Sequence, residues 1–167
     1  MFNVLDTLAK LATESGFAGF FAAGGWQNLV MIVIACVDDR MGMLFNRRRQ
    51  SRDRVLCERI AALSKSGVLR MNTRTSALFD GINAPNICAE DDYAEKAAKG
   101  DFCFVECADP APLLKKADRL TVFRWNRRYP ADLHFSVPDG WRKTGENEFE
   151  GSSHPVITQE DYVKCEN

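Results

Sequence analysis

The segment Met31–Ile60, MIVIACVDDRMGMLFNRRRQSRDRVLCERI, contains the pattern of a strand, a loop and a helix. Its residues Ile32–Val37 form an apolar run rich in β-branched side chains, which predicts a strand buried on both faces. Two aspartates end the run, and an arginine-rich segment that we interpret as a polar loop follows. Ser51 is a candidate N-cap for a helix whose apolar residues recur at helical spacing from Val55 onwards. This order predicts the start of a βαβ unit, where α/β proteins usually bind ligands.

The rest of the chain alternates between strand-like and helix-like patterns. Strands are predicted at 68–71, 87–89, 102–105 and 120–125, and helices at about 52–65, 91–98 and 111–117. Antiparallel pieces are expected between 141 and 162, around a Gly-Ser-Ser turn. Alternating strands and helices predict an α/β domain with a mixed, mainly parallel sheet and an antiparallel C-terminal hairpin.

Several short motifs occur in the order and at the spacing of the dihydrofolate reductase family. They are Val37-Asp38-x-x-x-Gly42-Met43, Val68–Met71 with Asn72–Thr75, Ala117–Leu120 through Asp132–Phe135, and Trp141, Glu148-Phe149 and Ser153-His154. Residues 31 to about 163 therefore resemble a diverged member of that family. The resemblance implies a dihydrofolate-reductase-like three-layer α/β/α domain over residues 31–167.

Residues 1–30 lie outside this resemblance and are expected to form an N-terminal extension with an amphipathic helix and an apolar, glycine-rich segment. Residues 1–37 also resemble the start of the membrane-embedded β subunit of sodium-pumping decarboxylases. The apolar run Phe17–Val37 is long enough to span a bilayer. However, the family resemblance needs Met31–Val37 as a central strand, so both interpretations cannot hold. We favour a cytoplasmic protein without a membrane partner. Whether the extension belongs to the domain or is a fusion or start-site artefact stays open.

Charge and metal-ligand content exclude several functional classes. The 22 Lys+Arg and 23 Asp+Glu residues give a net charge of -1, so the whole molecule has no bias towards polyanions. The six cysteines include no C-x-x-C pair and are expected to be reduced thiols. With two histidines, neither at metal-ligand spacing from another ligand, no metal site is predicted.

Asp53 is the candidate catalytic residue. The resemblance implies that it is the pterin-binding acid, and a buried carboxylate with an adjustable pKa suits a proton donor. An acid in the first turn of a helix also has an ordinary stabilising role. The aromatic residue that the family has one turn later is Cys57 here, and the threonine that binds the acid is Phe123. These losses argue against folate reduction and favour a pseudoenzyme that is oxidoreductase-like in fold only.

The cofactor side of the resemblance is altered as well. Where the family has a Gly-Gly pair next to the cofactor pyrophosphate, this chain has Glu106 and Cys107. A carboxylate repels a diphosphate, so Glu106 and Cys107 disfavour NADPH, and no cofactor is assigned. The candidate residues for a cofactor phosphate are Thr73, Arg74 and Thr75. The alternative for these three is an ordinary solvated turn.

Arginines form the densest charge cluster of the sequence. The candidate ligand-binding residues are Arg47, Arg48, Arg49, Arg54, Arg124 and Arg127. Charge runs are usually solvated surfaces. The resemblance, however, puts the two groups of arginines near the same end of the sheet, which predicts a basic cleft for a phosphate- or nucleotide-bearing ligand, with Trp125 and Tyr129 stacking on it.

These features lead to one functional hypothesis and two alternatives. The first is a binding protein of dihydrofolate-reductase-like fold whose partner is a small anionic ligand or nucleotide. One alternative is a NAD(P)H-dependent reductase of a pterin- or flavin-precursor-like substrate, with Asp53 as the proton donor. The other is a protein that binds RNA ends. A fold does not decide between them, and ligand identity and oligomeric state stay open.

Overall fold

A computed structural model describes residues 29–166 of the protein. The strands are β1 (Ile32–Val37), β2 (Gly42–Phe45), β3 (Arg48–Arg49), β4 (Leu69–Met71), β5 (Ile87–Ala89), β6 (Phe102–Val105), β7 (Arg119–Arg124), β8 (Leu133–His134), β9 (Trp141–Phe149) and β10 (Ile157–Lys164). The helices are α1 (Arg54–Leu63), α2 (Thr73–Ser76), α3 (Tyr93–Lys96) and α4 (Ala111–Leu114), and a 3₁₀ turn spans Ala77–Phe79. The extension predicted for residues 1–30 falls almost entirely outside the described residues.

Within the described residues, seven strands form the main sheet, in the order β5-β4-β6-β1-β7-β10-β9. The five strands from β5 to β7 run parallel, and β10 is antiparallel to both of its neighbours, β7 and β9. Because β1 lies between β6 and β7, the apolar run Ile32–Val37 is the central strand, as predicted. The mixed, mainly parallel sheet with an antiparallel C-terminal hairpin is confirmed.

The two faces of β1 pack into two separate cores. Val33, Ala35 and Val37 point into one core, which also contains residues of α3 and α4. Ile34 and Cys36 point into the other, which contains the buried face of α1. Alternate residues of a strand lie on opposite faces, so an all-apolar strand is the pattern that buries both. Helices therefore cover the sheet on both sides, and the predicted three-layer arrangement is confirmed.

The helices are shorter than the sequence patterns predict. The N-cap of α1 is Asp53 and not Ser51, because the Asp53 side chain accepts the N–H of Leu56 at 3.1 Å. The helix predicted at 91–98 is limited to Tyr93–Lys96, since Ala97 has an extended backbone with ψ 132°. Among residues 29–166, no helix is long and apolar enough to cross a membrane.

The arginine-rich segment was predicted as a loop, and this prediction is wrong. It forms the hairpin β2–β3, which joins β8 in a second, three-stranded sheet. The turn residues Asn46 and Arg47 have φ values of 49° and 59°, the backbone of a tight hairpin turn. Met43 and Leu44 anchor the hairpin in the protein, whereas its tip is exposed.

Candidate functional site

The second sheet lies at the carboxyl ends of β1 and β7, where the side chain of Asp38 binds backbone N–H groups of two chain segments. Asp38 is fully buried, and its carboxylate accepts the backbone N–H groups of Arg40 at 2.8 Å, Gly42 at 2.7 Å and Tyr129 at 3.0 Å. Burial alone would raise the pKa of Asp38, but these N–H groups outweigh it and lower the pKa. Asp38 therefore joins the turn after β1 to the segment after β7 as a buried anion.

A groove of about 290 Å³ opens between these two segments. We call it the arginine groove; it is lined by Phe45, Asn46, Arg48, Arg49, Gln50, Tyr129 and Pro130. Its volume is at the lower limit of small-molecule pockets. Of the predicted ligand-binding residues, Arg48 and Arg49 lie in this wall, and Arg47 is adjacent in the hairpin turn.

Hydrogen bonds hold the hairpin against the opposite wall of the arginine groove. The carboxylate of Asp132 accepts the Asn46 N–H at 2.7 Å, and the Asp132 N–H binds the Leu44 carbonyl at 3.0 Å. The Gln50 amide donates to the Pro130 carbonyl at 3.5 Å. Segments about 90 residues apart along the chain thus form the two walls of the groove, through backbone contacts between β2 and the segment before β8.

Several residues with unfavourable backbone conformations lie near the arginine groove. Among residues 29–166, the non-glycine residues with positive φ are Met41, Asn46, Arg47 and Asn126, and all four follow the carboxyl ends of β1, β2 or β7. The one buried side-chain polar atom without a hydrogen-bond partner in this range is Gln50 Oε1, from a residue of the groove wall. Such departures from local rules are concentrated at functional sites in proteins.

The remaining predicted arginines do not join the groove. Arg54 forms an ion pair with Glu58 at 3.0 Å and donates to the Gly81 carbonyl at 3.2 Å, beside a different cavity. Arg124 pairs with Glu160 at 3.0 Å on the main sheet. Arg127 is exposed and lies two residues before Tyr129. The predicted basic cleft is therefore reduced to the hairpin arginines and the start of the segment after β7.

Asp53 lies in the wall of a second cavity of about 380 Å³, together with Cys57, Leu78 and Ser153. Asp53 is 2% exposed. Besides capping α1, it accepts both the N–H and the hydroxyl of Ser153, at 2.6 Å and 2.9 Å. Ser153, 100 residues away along the chain, thus supplies a hydroxyl donor to the Asp53 carboxylate.

The protonation of Asp53 follows from these contacts. Burial alone would raise its pKa, but the hydrogen bonds from Ser153 and from the Leu56 N–H hold the pKa well below the ordinary range. A proton donor near neutral pH needs a raised pKa. Asp53 is instead a buried, fully hydrogen-bonded anion.

His154 belongs to the same hydrogen-bond network and packs beside Asp53. Its Nδ1 lies 2.9 Å from the Ser153 hydroxyl and 3.5 Å from Asp53 Oδ2, and its Nε2 lies 2.8 Å from the Tyr129 hydroxyl. The imidazole stacks on Trp125 with ring centroids 4.7 Å apart. Trp125 is only 4% exposed, so the prediction that it stacks on a ligand is wrong. Sequence reasoning places Ser153-His154 in the last hairpin but contains no signal that predicts this network.

Glu106 occupies the place where the family resemblance implies a Gly-Gly pair. It is 7% exposed, accepts the Thr75 hydroxyl at 3.0 Å and pairs with Arg49 Nε at 3.3 Å. Burial raises its pKa, although Arg49 and Thr75 act in the opposite direction. A buried carboxylate already paired with the protein does not fit a cofactor pyrophosphate, so the residues here do not fit NADPH in the family's manner.

The three candidate phosphate-binding residues lie in α2 and contact protein groups. Thr73 donates from its N–H and its hydroxyl to Asp91, at 3.1 Å and 2.7 Å. Arg74 Nη1 donates to the Arg47 carbonyl at 2.7 Å. Thr75 is buried against Glu106. These contacts connect α2 to the arginine hairpin and to the end of β6.

Buried thiols and acids provide no further reactive centre in the described part of the chain. Burial raises the pKa of Cys57 and of Cys103 to about 12, which keeps both as neutral thiols. Within residues 29–166, no three His, Cys, Asp or Glu side chains are grouped so that they could hold a metal ion.

Comparisons with known proteins agree with the fold and go no further. No family model matches the sequence, and no curated protein matches it. A similar solved structure is dihydrofolate reductase from Enterococcus faecalis, complexed with NADP(H) and RAB-propyl, with 12% identity and a TM-score of 0.59 over 83% of this chain and 98% of that one. At this identity the likeness shows a dihydrofolate-reductase-like fold alone. None of the comparisons supports the decarboxylase resemblance of residues 1–37.

Proposed function

We propose that this protein is a binding protein that holds a small phosphate-bearing anion in the arginine groove. The observation that carries the proposal is that Arg48 and Arg49 line one groove with Tyr129, at the carboxyl ends of β1 and β7. In open α/β sheets this is the edge at which ligands bind.

The charge distribution around the groove supports an anionic ligand. Within the described residues, Arg47, Arg48 and Arg127 form no ion pair with an acid, whereas Arg49 is paired with Glu106. Guanidinium groups bind phosphate oxygens through charge-assisted hydrogen bonds. Arg48 in the groove wall, with Arg47 in the adjacent turn, therefore favours a ligand that carries a compact negative charge.

The reductase alternative has weaker support. It needs Asp53 as a proton donor, but the Asp53 carboxylate is held as an anion by Ser153 and Leu56. It also needs space for a pyrophosphate where Glu106 is buried. Both features favour a scaffold that keeps the fold and binds its ligand elsewhere.

The proposal is tested by titrating the full chain with inorganic phosphate and with pyrophosphate at low salt. Calorimetry measures the binding, and thermal melting measures the stabilisation. An anion at a hundredfold excess over its Kd stabilises the folded state by about 2.7 kcal/mol, so the melting temperature rises. High salt screens the arginines and reduces the rise, because the Debye length falls to about 3 Å at 1 M.

Two charge reversals locate the site. Arg48→Glu is expected to abolish the rise while leaving the unliganded melting temperature nearly unchanged, since Arg48 is exposed. Arg142→Glu is the matched control, because Arg142 is also exposed but lies at the opposite end of the sheet. Arg142 pairs with Val163 of β10, and Val163 pairs with Arg119 at the start of β7. Absence of any anion-dependent stabilisation, or an equal loss in both variants, would refute the proposal.

A further inference from the structure

We infer that the ligand of the arginine groove is a nucleotide, whose base stacks on Phe45 while its phosphate binds Arg48. The inference rests on the proposed anion-binding function and adds the chemical class of the ligand. Its starting point is the exposure of Phe45, which is 49% although Met43 and Leu44 before it in β2 are buried. An exposed aromatic ring in a groove wall is a recognition feature that an inorganic anion does not use.

Strand register puts the ring next to the charge. In the antiparallel pair β2–β3, Phe45 is opposite Arg48 and Leu44 is opposite Arg49. Residues directly opposite each other extend from the same face, with Cβ atoms about 4.5–5.5 Å apart. Phe45 and Arg48 therefore share the outer face of the hairpin.

Residues on the other face of the hairpin contact the rest of the protein. Leu44 is buried on this face, and Arg49, whose side chain also lines the arginine groove, is paired with Glu106. Met43, on the same face as Phe45, is buried, so the ring of Phe45 and the guanidinium of Arg48, which has no ion pair within the described residues, are exposed together only at the tip of the hairpin.

An aromatic ring beside an arginine matches the two parts of a nucleotide. Bases stack on aromatic side chains, and the neighbouring phosphate is bound by guanidinium groups. Tyr129 and Pro130 supply the opposite wall, so a planar group entering the groove meets apolar surface on both sides. Of the other exposed large hydrophobic residues in the described range, Leu29, Val68 and Val156, none lines the groove. Phe45 therefore belongs to no apolar patch of the size that binds a membrane.

The same chemistry is present in a free mononucleotide and in the terminal nucleotide of an RNA strand. The groove volume of about 290 Å³ limits the recognised part to one nucleotide in either case. A strand would add phosphates outside the groove, where Arg47 and Arg127 are exposed. A stronger, more salt-dependent interaction of an oligonucleotide than of a mononucleotide would identify RNA as the source.

The test titrates the full chain with inorganic phosphate, adenosine, AMP and a short oligoadenylate, using calorimetry. AMP is expected to bind about tenfold more tightly than phosphate, the gain that stacking of one base supplies. Phe45→Leu is expected to remove this gain for AMP and to leave phosphate binding unchanged. Phe45→Tyr keeps the ring and is expected to keep the affinity for AMP.

Controls separate this inference from the proposed function. Val156→Ala removes another exposed apolar side chain and is expected to change neither affinity, and melting of each Phe45 variant verifies its fold. Equal binding of AMP and phosphate, or an equal loss of both in Phe45→Leu, would overturn the nucleotide assignment while the anion site stands. Binding to anionic vesicles that needs Phe45, without binding to AMP, would also overturn it. If phosphate itself does not bind, the proposed anion-binding function is refuted, and the nucleotide assignment that rests on it is refuted as well.

Discussion

The carboxylate of Asp38 accepts the backbone N–H of Tyr129 at 3.0 Å, across 91 residues of the chain. Because the same carboxylate also binds the N–H groups of Arg40 and Gly42, it fixes the turn after β1 relative to the segment after β7. The hairpin follows the first of these segments, and Tyr129 and Pro130 belong to the second. One buried anion therefore sets the relative position of both walls of the arginine groove.

Asp38→Asn is expected to lower the free energy of unfolding by about 2 kcal/mol, because an amide NH₂ would face a buried N–H donor. Chemical denaturation at neutral pH measures the change. Asp39→Asn is the control, since Asp39 is exposed and is expected to alter stability little. Similar losses in the two variants would contradict the assigned role of Asp38.

The effect of Asp38 should depend on pH in a defined direction. Its pKa is lowered in the folded protein, so its stabilisation is present above the unfolded pKa and is lost as the pH falls through the folded pKa. The difference between the wild type and Asp38→Asn should be constant from about pH 7 to 5 and decrease below about pH 4. Denaturation curves across this range check the prediction, and a difference that grows on acidification would refute it.

Arg47→Gly is expected to stabilise the protein and weaken phosphate binding at the same time. Arg47 has a φ of 59°, which glycine adopts without strain, so the free energy of unfolding should rise by up to about 1 kcal/mol. The Arg47 carbonyl that accepts from Arg74 is retained in this variant. Asn46→Gly is the control, because it relaxes the neighbouring turn position without removing a charge. Parallel calorimetry and denaturation should show weaker phosphate binding in Arg47→Gly only.

Glu106→Gln is expected to strengthen phosphate binding about two- to fivefold, because it releases Arg49 in the groove wall from its ion pair. The glutamine oxygen can still accept the Thr75 hydroxyl. Since burial raises the pKa of Glu106, the neutral side chain should also increase the free energy of unfolding at neutral pH.

The stabilisation by Glu106→Gln should disappear on acidification. A raised folded pKa means that protonated Glu106 is favoured in the folded state, so the wild type regains stability as the pH falls towards the unfolded value of about 4.3. Glu95→Gln removes an exposed carboxylate and serves as the control. Weaker phosphate binding in Glu106→Gln would show that Glu106 supports the site instead of competing for Arg49.

Gly151→Ala is expected to destabilise the protein by about 1–3 kcal/mol, because the added methyl group has no space. A Cβ at Gly151 would lie 2.5 Å from Asp53 Oδ2 and 2.8 Å from Ile157 Cδ1. At Gly145 the nearest atom would be 3.8 Å away, so Gly145→Ala is the matched control and should change stability little. Thermal melting of both variants compares them; equal stability would mean that the segment closing over Asp53 is free to move.

The sequence predicts the main sheet because its signal is local. Ile32–Val37 has no polar residue, and a strand covered on both faces buries all of its side chains. The apolar spacing from Val55 onwards likewise predicts α1. Its N-cap was assigned to the wrong residue, since Ser51 and Asp53 both suit that position and only the hydrogen bond to Leu56 decides between them.

The arginine hairpin was missed because nothing local specifies it. Strands β3 and β8 have two residues each, and β2 is held by pairing with β8, about 90 residues later. The turn residues Asn46 and Arg47 lack the glycine that usually marks such a hairpin.

By itself, the sequence determined the alternating strands and helices of the main sheet and the burial of β1 on both faces. Tertiary structure alone decided the state of the charged residues. Asp53 became an anion bound by Ser153, Glu106 became the partner of Arg49, and Phe45 was left exposed beside Arg48. The physical reason is that apolar periodicity fixes which faces are buried, whereas the energy of a charge depends on donors and acceptors that are distant along the chain.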